Sequence, residues 1–175
     1  RYSPHSWRMA CGVVMQEGVI FSDTLKKNIC ILNDNPDEEL YSKAIQTANL
    51  QEFINKLPYR DKTNIGIDGH GLSSGQKQRV LIARSVYKDP GYIFLDEATN
   101  SLDANNELII MENLNRFFKN KTVVIVAHRL STVKNADQII VMDSGKIIES
   151  GTHNQLIATK GAYYKLVKNQ LDLGN

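Results

Sequence analysis

Short apolar runs and longer stretches of helical period divide the chain. The runs at 12–15 (Gly-Val-Val-Met), 92–95 (Tyr-Ile-Phe-Leu) and 122–127 (Thr-Val-Val-Ile-Val-Ala) predict buried strands. The last is almost unbroken, as in a sheet covered on both faces. Residues 35–88 read as mostly helical. Asn35-Pro36-Asp37-Glu38-Glu39 predicts a helix start, with Asn as cap, Pro in the first position and acids in the first turn. Leu40, Ala44, Ile45 and Ala48 follow at helical spacing, and Leu57-Pro58-Tyr59 breaks the pattern. A Gly-rich loop over 63–71 leads to a second helix, which starts at Ser73, runs through Val80, Leu81, Ala83 and Val86, and stops before Pro90. Residues 103–120 predict an amphipathic helix with Leu108, Met111, Leu114 and Phe118 on one side. Residues 138–142 and 146–149 predict strands joined in a hairpin at Asp143-Ser144-Gly145, and two short helices follow at 152–159 and 162–171. The alternation predicts an α/β fold with a mostly parallel sheet and a helical insertion.

At 175 residues the chain is one domain or most of one. Hydrophobic residues at 42% and charged residues at 23% are average for a globular protein, which argues against disorder. A net charge of +2 gives no footing for nucleic acid or for a polybasic membrane anchor. Cys11 and Cys30 lack metal spacing and read as free thiols of a reducing compartment. No apolar run approaches the ~18–20 residues of a membrane span. The chain opens on Arg1 with residues that look like mid-domain sequence, so it reads as a fragment of something longer.

Chemistry concentrates at strand ends. The run 92–95 delivers Asp96 and Glu97. An open α/β sheet builds phosphate chemistry from acids at the carboxyl ends of its strands. Asp96 can hold Mg²⁺ directly or through water, and Glu97 can polarise a water. An isolated Asp-Glu pair is as often a solvated loop start; the apolar run before it favours the catalytic reading. His128 ends the next strand. A lone histidine is more often a core or surface residue, but neighbouring parallel strands end on one side, so His128 is expected to face the same pocket as Glu97 and to hold a γ-phosphate and the attacking water. Gln16 ends a third strand and offers a carbonyl oxygen to Mg²⁺ or water. Ser73-Ser74-Gly75-Gln76 opens a helix, where backbone N–H groups and the helix dipole favour an anion. No Gly-x-x-x-x-Gly-Lys-Ser/Thr loop occurs, so the usual phosphate cradle is not in this sequence.

In this order the residues resemble one family closely. Gln16-Glu17 resembles the Q-loop of ATP-binding-cassette (ABC) proteins. The run Leu72-Ser73-Ser74-Gly75-Gln76-Lys77-Gln78-Arg79 resembles the ABC signature. Leu95-Asp96-Glu97-Ala98-Thr99 resembles Walker B with its catalytic glutamate, and Asn100-Ser101-Leu102-Asp103 the D-loop. Ala127-His128-Arg129-Leu130-Ser131-Thr132 is similar to the switch-histidine loop of ABC exporters. Ser74 stands where the family more often has glycine, and Asn100 where serine is common. The Walker A loop and the adenine-stacking aromatic lie upstream of the Q-loop in the family, and only fifteen residues precede Gln16.

The resemblance implies a P-loop NTPase-type core without its N-terminal strands and P-loop. Residues 1–18 would belong to the ATPase core ending in the Q-loop, 19–90 to a helical signature subdomain, and 91–175 to the core with Walker B, D-loop and switch histidine. It implies ATP and Mg²⁺ as cofactors, with Asp96 and Gln16 toward the metal, Glu97 as general base and His128 as positioner. Ser73, Ser74, Gly75 and Gln76 would cap the γ-phosphate held by a second nucleotide-binding domain in a head-to-tail dimer, and Asp103 would tie the two sites together. Ser6-Trp7-Arg8, Phe21-Ser22-Asp23-Thr24-Leu25 and the 63–71 loop resemble fused exporters, in which that loop meets the coupling helices of a transmembrane domain. This places the chain on the cytoplasmic face of the cell membrane, without a nucleic-acid partner. Gly69-His70-Gly71-Leu72-Ser73 and the tail from Gly161-Ala162-Tyr163-Tyr164 to Asn169-Gln170-Leu171 are similar to peptide and bacteriocin exporters with a cysteine-peptidase domain. The alternatives are an exporter of lipid or drug cargo, and a soluble ABC ATPase acting on nucleic acid; the latter would show coiled coils or basic arms.

Overall fold

In the computed structural model, which describes residues 3–31, 33, 35–127 and 129–173, the first element is a helix that the hydrophobic pattern does not announce. Helix α1 (Pro4–Ala10) is capped by Ser3, whose Oγ accepts from the Ser6 N–H at 3.1 Å, and has Pro in its first position. It leads into strand β1 (Cys11–Val14). A two-residue strand β2 (Asp23–Thr24), helix α2 (Leu25–Ile29), helix α3 (Glu38–Thr47), helix α4 (Gln51–Lys56), one 3₁₀ turn (Arg60–Lys62) and a two-residue strand β3 (Asn64–Ile65) follow. Then come helix α5 (Ser74–Tyr87), strand β4 (Tyr92–Asp96), helix α6 (Ala104–Phe117) and strand β5 (Thr122–Val126).

The three apolar runs pair as one parallel sheet in the order β1-β4-β5, with Val14 opposite Leu95 and Leu95 opposite Ile125. The α/β expectation with a parallel core is met. Everything from β2 to α5 is threaded between two neighbouring strands. One face of the sheet, through Val14, Ile93 and Leu95, is buried in the main core with α2, α3 and α5. On the other face Val13 and Val124, level with each other across Phe94, stay 54% and 47% exposed. The apolar run at 122–127 therefore does not mark a strand covered twice within this chain.

Two further expectations shift. The cap of α3 is Asp37, not Asn35: its backbone is extended and its Oδ1 accepts from the N–H groups of Glu39 (2.9 Å) and Leu40 (3.0 Å), which leaves Asn35 and Pro36 outside the helix. In α6 the buried stripe is Ile110, Leu114 and Phe117, while Leu108 is 63% exposed. Both sets have helical spacing, and packing chose the stripe about one residue round from the predicted one. Helix α3 ends in a Schellman motif. Asn49 adopts a left-handed φ of +51°, its N–H reaches Gln46 O at 3.1 Å, and the Leu50 N–H reaches Ile45 O at 3.0 Å.

Asn28 organises the segment after β1. It is 1% exposed, its Oδ1 accepts from the Phe21 N–H at 2.8 Å, and its Nδ2 donates to Phe21 O (2.9 Å) and Thr24 O (3.1 Å). Arg84 from α5 donates through Nε to Asn28 O at 2.8 Å, so the segment is pinned to the helix as well. Asn28→Leu keeps the branched connectivity of the side chain but strands these buried backbone groups, and is expected to cost about 2–4 kcal/mol in equilibrium urea unfolding. A loss below about 0.5 kcal/mol, the level of an ordinary surface change, would remove the organising role.

The chain divides into two units, Arg1–Val126 and Ala127–Asn175. The second holds helix α7 (Leu130–Val133), strands β6 (Ile139–Asp143) and β7 (Lys146–Gly151), helix α8 (His153–Thr159) and helix α9 (Ala162–Leu173). β6 and β7 form the expected hairpin, and Ser144 (φ +48°) and Gly145 (φ +76°) supply the left-handed pair that a tight primed turn needs. Its core is Ile139, Val141, Leu156, Tyr163 and Val167. Glu149 of β7 caps α9: its two carboxylate oxygens accept from the N–H groups of Ala162 (2.7 Å) and Tyr163 (2.8 Å). A Cβ at Gly161 would collide with that carboxylate, which explains the glycine.

Candidate functional site

The site is built first at the carboxyl edge of the sheet. Asp96 is the last residue of β4. The Glu97 N–H still reaches Val126 O at 3.0 Å, and the backbone then turns sharply, with Glu97 at φ +48°. A non-glycine residue in that region is held against its own preference, a cost that surrounding structure must sustain. Asn100 supplies part of that structure: its Nδ2 donates to Glu97 Oε2 at 2.6 Å, and its N–H reaches Glu97 O at 3.2 Å. Gln16 lies two residues beyond the end of β1. Val14, the last residue of β1, is level with Leu95, the residue before Asp96 on the adjacent strand. Parallel pairing thus sets the carboxyl ends of β1 and β4 side by side, with Gln16 two residues past the first and Glu97 one residue past the second. His128 lies outside the described residues.

The second part is the start of α5. Ser73 is its cap, with an extended backbone. Ser73 Oγ accepts from the Gln76 N–H at 3.2 Å, while Gln76 Oε1 accepts from the Ser73 N–H at 2.9 Å, which closes a capping box. The box leaves chemistry available. The Ser73 hydroxyl has accepted a bond but keeps its own proton to donate, and Gln76 keeps its amide NH₂. The N–H groups of Ser74 and Gly75 lie in the first turn, where the helix has no carbonyl for them. Gly75 permits a close approach: a Cβ there would stand 3.1 Å from Ser101 O.

The turn over residues 97–103 joins the two parts. It starts at Glu97, contacts the start of α5 through Ser101, and ends at Asp103, the cap of α6. Asp103 Oδ1 accepts from the Asn106 N–H at 3.0 Å, and Oδ2 accepts from Asn106 Nδ2 at 2.7 Å. These bonds, the backbone N–H foremost, hold the Asp103 carboxyl below the usual carboxylate range. Arg79, one turn along α5 from Gly75, is half-buried; burial lowers its pKa, and the Asp103 charge opposes that.

Among the described residues no group of three or more His, Cys, Asp or Glu side chains could cage a metal. Asp96 and Gln16 together offer one carboxylate and one carbonyl oxygen. That sparse hard-oxygen set suits Mg²⁺, which keeps most of its waters and takes phosphate oxygens, better than Ca²⁺ or zinc. The sequence marks Asn100 only as a departure within the D-loop-like run and gives Asn49 and Asn106 no role, because asparagines carry no periodic signal and their partners are fixed by the fold. Arg79 lies inside the run that resembles the ABC signature, and nothing in that run shows its partners in the fold.

The family model described as "ABC transporter" matches residues 2–100. The chain is 47% identical over 166 residues to "ABC transporter B family member 21" of Arabidopsis thaliana, covering 94% of this chain and 13% of that protein. It is 45% identical over 168 residues to "ABC multidrug transporter atrD" of Emericella nidulans, covering 95% of this chain and 12% of that protein. Among solved structures it is similar to a bacterial Atm1-family ABC exporter with ATP bound, at a TM-score of 0.90 and 36% identity, over 95% of this chain and 30% of the other. The chain thus spans about an eighth of the length of these curated relatives. Among the described residues no helix is long and apolar enough to cross a membrane.

Proposed function

We propose, from the premise that this chain belongs to the ABC transporter family, that it is the ATP-hydrolysing part of an exporter. The observation that supports the reading is the parallel pairing of β1 and β4, whose adjacent carboxyl ends are followed within two residues by Gln16 and Glu97, with Asp96 closing β4. In this reading Glu97 accepts the proton of the attacking water, and Asn100 orients its carboxylate. Asp96 and Gln16 would hold Mg²⁺, which when bound neutralises phosphate charge. His128 holds the γ-phosphate and the water. Ser73, Ser74, Gly75 and Gln76 present a hydroxyl, an amide and backbone N–H groups to the γ-phosphate of a second cassette, head to tail. Asp103 sits where the two sites communicate. Residues 1–18 and 91–175 make the core, and 19–90 the helical part that meets the coupling helices of a transmembrane domain through the 63–71 loop, on the cytoplasmic face of the membrane.

The cargo we propose is peptide-like, on the likeness of residues 69–73 and of the tail to peptide exporters. A second reading, drug cargo, is favoured by the relative named a multidrug transporter. Stimulation of ATP turnover by peptides rather than by amphipathic drugs supports the first, and the reverse supports the second.

The 175 residues contain no Walker A loop, so the isolated chain is expected not to hydrolyse ATP. Losing one preorganised donor to a transition-state oxygen costs about 2.7–4 kcal/mol, and here several go at once. Uncovered sheet surface at Val13 and Val124 favours self-association of the isolated chain. An ATPase assay with Mg²⁺, run beside light scattering on the chain and on the whole protein, decides the point. Turnover by the whole protein alone supports the reading; a monomeric 175-residue chain that turns over ATP contradicts it.

A further inference from the structure

We infer that Asn49, Arg79 and Asn106 form a latch that positions Asp103, and with it the 97–103 turn, against the corner between α3 and α4. The inference rests on the reading above, in which that turn borders the hydrolytic edge.

The latch joins three helices through one asparagine. Asn49 stands at the left-handed end of α3. Its Nδ2 donates to Asn106 Oδ1 at 2.9 Å, across 57 residues of sequence. Its carbonyl accepts from Arg79 Nη1 of α5 at 2.9 Å, and the same nitrogen lies 3.4 Å from Asn106 Oδ1. Asn106 in turn donates through Nδ2 to Asp103 Oδ2 at 2.7 Å. Asp103 needs only Oδ1 to cap α6, where it accepts from the Asn106 backbone N–H. Its second oxygen is therefore given over to the latch. Without Asn106's side chain the helix keeps its cap and Ser101 keeps its contact with the start of α5, but Asp103 loses its tie to the α3–α4 corner and to Arg79.

The turn also carries the bond from Asn100 to Glu97 and the close contact of Ser101 with Gly75. A displacement of the corner at Asn49 therefore reaches Asp103 through two hydrogen bonds, and reaches Glu97 through the turn that follows it. Asn49, Arg79 and Asn106 touch no reacting atom; they act as positioning residues.

The test uses the whole protein with three variants. Asn106→Ala removes the hub. Asn49→Gly removes the side-chain donor and keeps the left-handed backbone, which glycine favours. The third combines both. Asn106→Ala is expected to lower kcat about ten- to a hundredfold, as misplacement remote from the chemistry does, with KM for ATP within about twofold. Asn49→Gly is expected to move kcat in the same direction, and the double variant to fall no lower than Asn106→Ala, because both break one chain of bonds. Hydrogen exchange at the Asn100 and Leu102 amides, which bond Glu97 O and Thr99 O, is expected to quicken about tenfold in Asn106→Ala. Wild-type kcat in both single variants overturns the inference, even with a lowered Tm, as does additive loss in the double or unchanged exchange in the turn. A whole protein that shows no turnover before any substitution contradicts the proposed function instead, so the two failures are told apart.

Discussion

Replacing Glu97 with Gln is expected to lower ATP turnover of the whole protein by about 10²–10⁴, the usual worth of a general base. The amide keeps the shape of the side chain, but it cannot take the proton of the attacking water. Nucleotide binding is expected to survive, because phosphate contacts are made elsewhere, and ATP should then hold the two cassettes closed. Stability is expected to change little. Asn100 Nδ2 donates to Glu97 Oε2 at 2.6 Å, and a glutamine carbonyl accepts that bond as well. Single-turnover kinetics with Mg²⁺ and ATP reads the chemical step directly. Near-wild-type hydrolysis by Glu97→Gln would remove Glu97 from the role of base.

Gly75→Val carries the second large expected effect, on the partner's ATP rather than on the chain's own. Gly75 lies in the first turn of an ordinary helix, so the substitution costs the backbone nothing and improves helix propensity slightly. Its price is local: the new Cβ would stand 3.1 Å from Ser101 O, and the branched side chain would cover the N–H groups offered to a γ-phosphate. A loss of about 10²-fold or more in kcat/KM is expected, with stability held within about 1 kcal/mol. In mixed dimers with a partner that lacks a working Walker A loop, one site keeps both intact halves. Such mixtures retain turnover if the halves meet in trans. Complete loss in the mixture would mean that each chain serves its own ATP.

The parts of the fold that were legible in the sequence are those where one physical rule acts alone. An apolar run that ends in two acids marked β4 and its edge: Ile93 and Leu95 are buried, and Asp96 closes the strand with Glu97 next to it. Ser73 marked the start of α5 because its hydroxyl and the Gln76 amide satisfy each other's N–H groups. The stripe on α6 was misplaced because Leu108 and Ile110 are equally apolar, and only the neighbours in the fold decide which is buried. Helix α1 was missed because seven residues with a single Pro and a Ser cap show no hydrophobic period. The asparagine network was illegible for another reason. Asn49 and Asn106 are 57 residues apart, and a polar pair of that separation leaves no trace until the chain has folded. Asn28 is similar: its burial follows from four backbone groups that only the folded segment presents.

Steady-state ATP hydrolysis by the whole protein in lipid nanodiscs, with Mg²⁺ and after its removal by a chelator, tests the central claim most directly. The account predicts Mg²⁺-dependent turnover that Glu97→Gln abolishes. A protein that does not hydrolyse ATP, or whose hydrolysis is indifferent to both Mg²⁺ and Glu97, would contradict it.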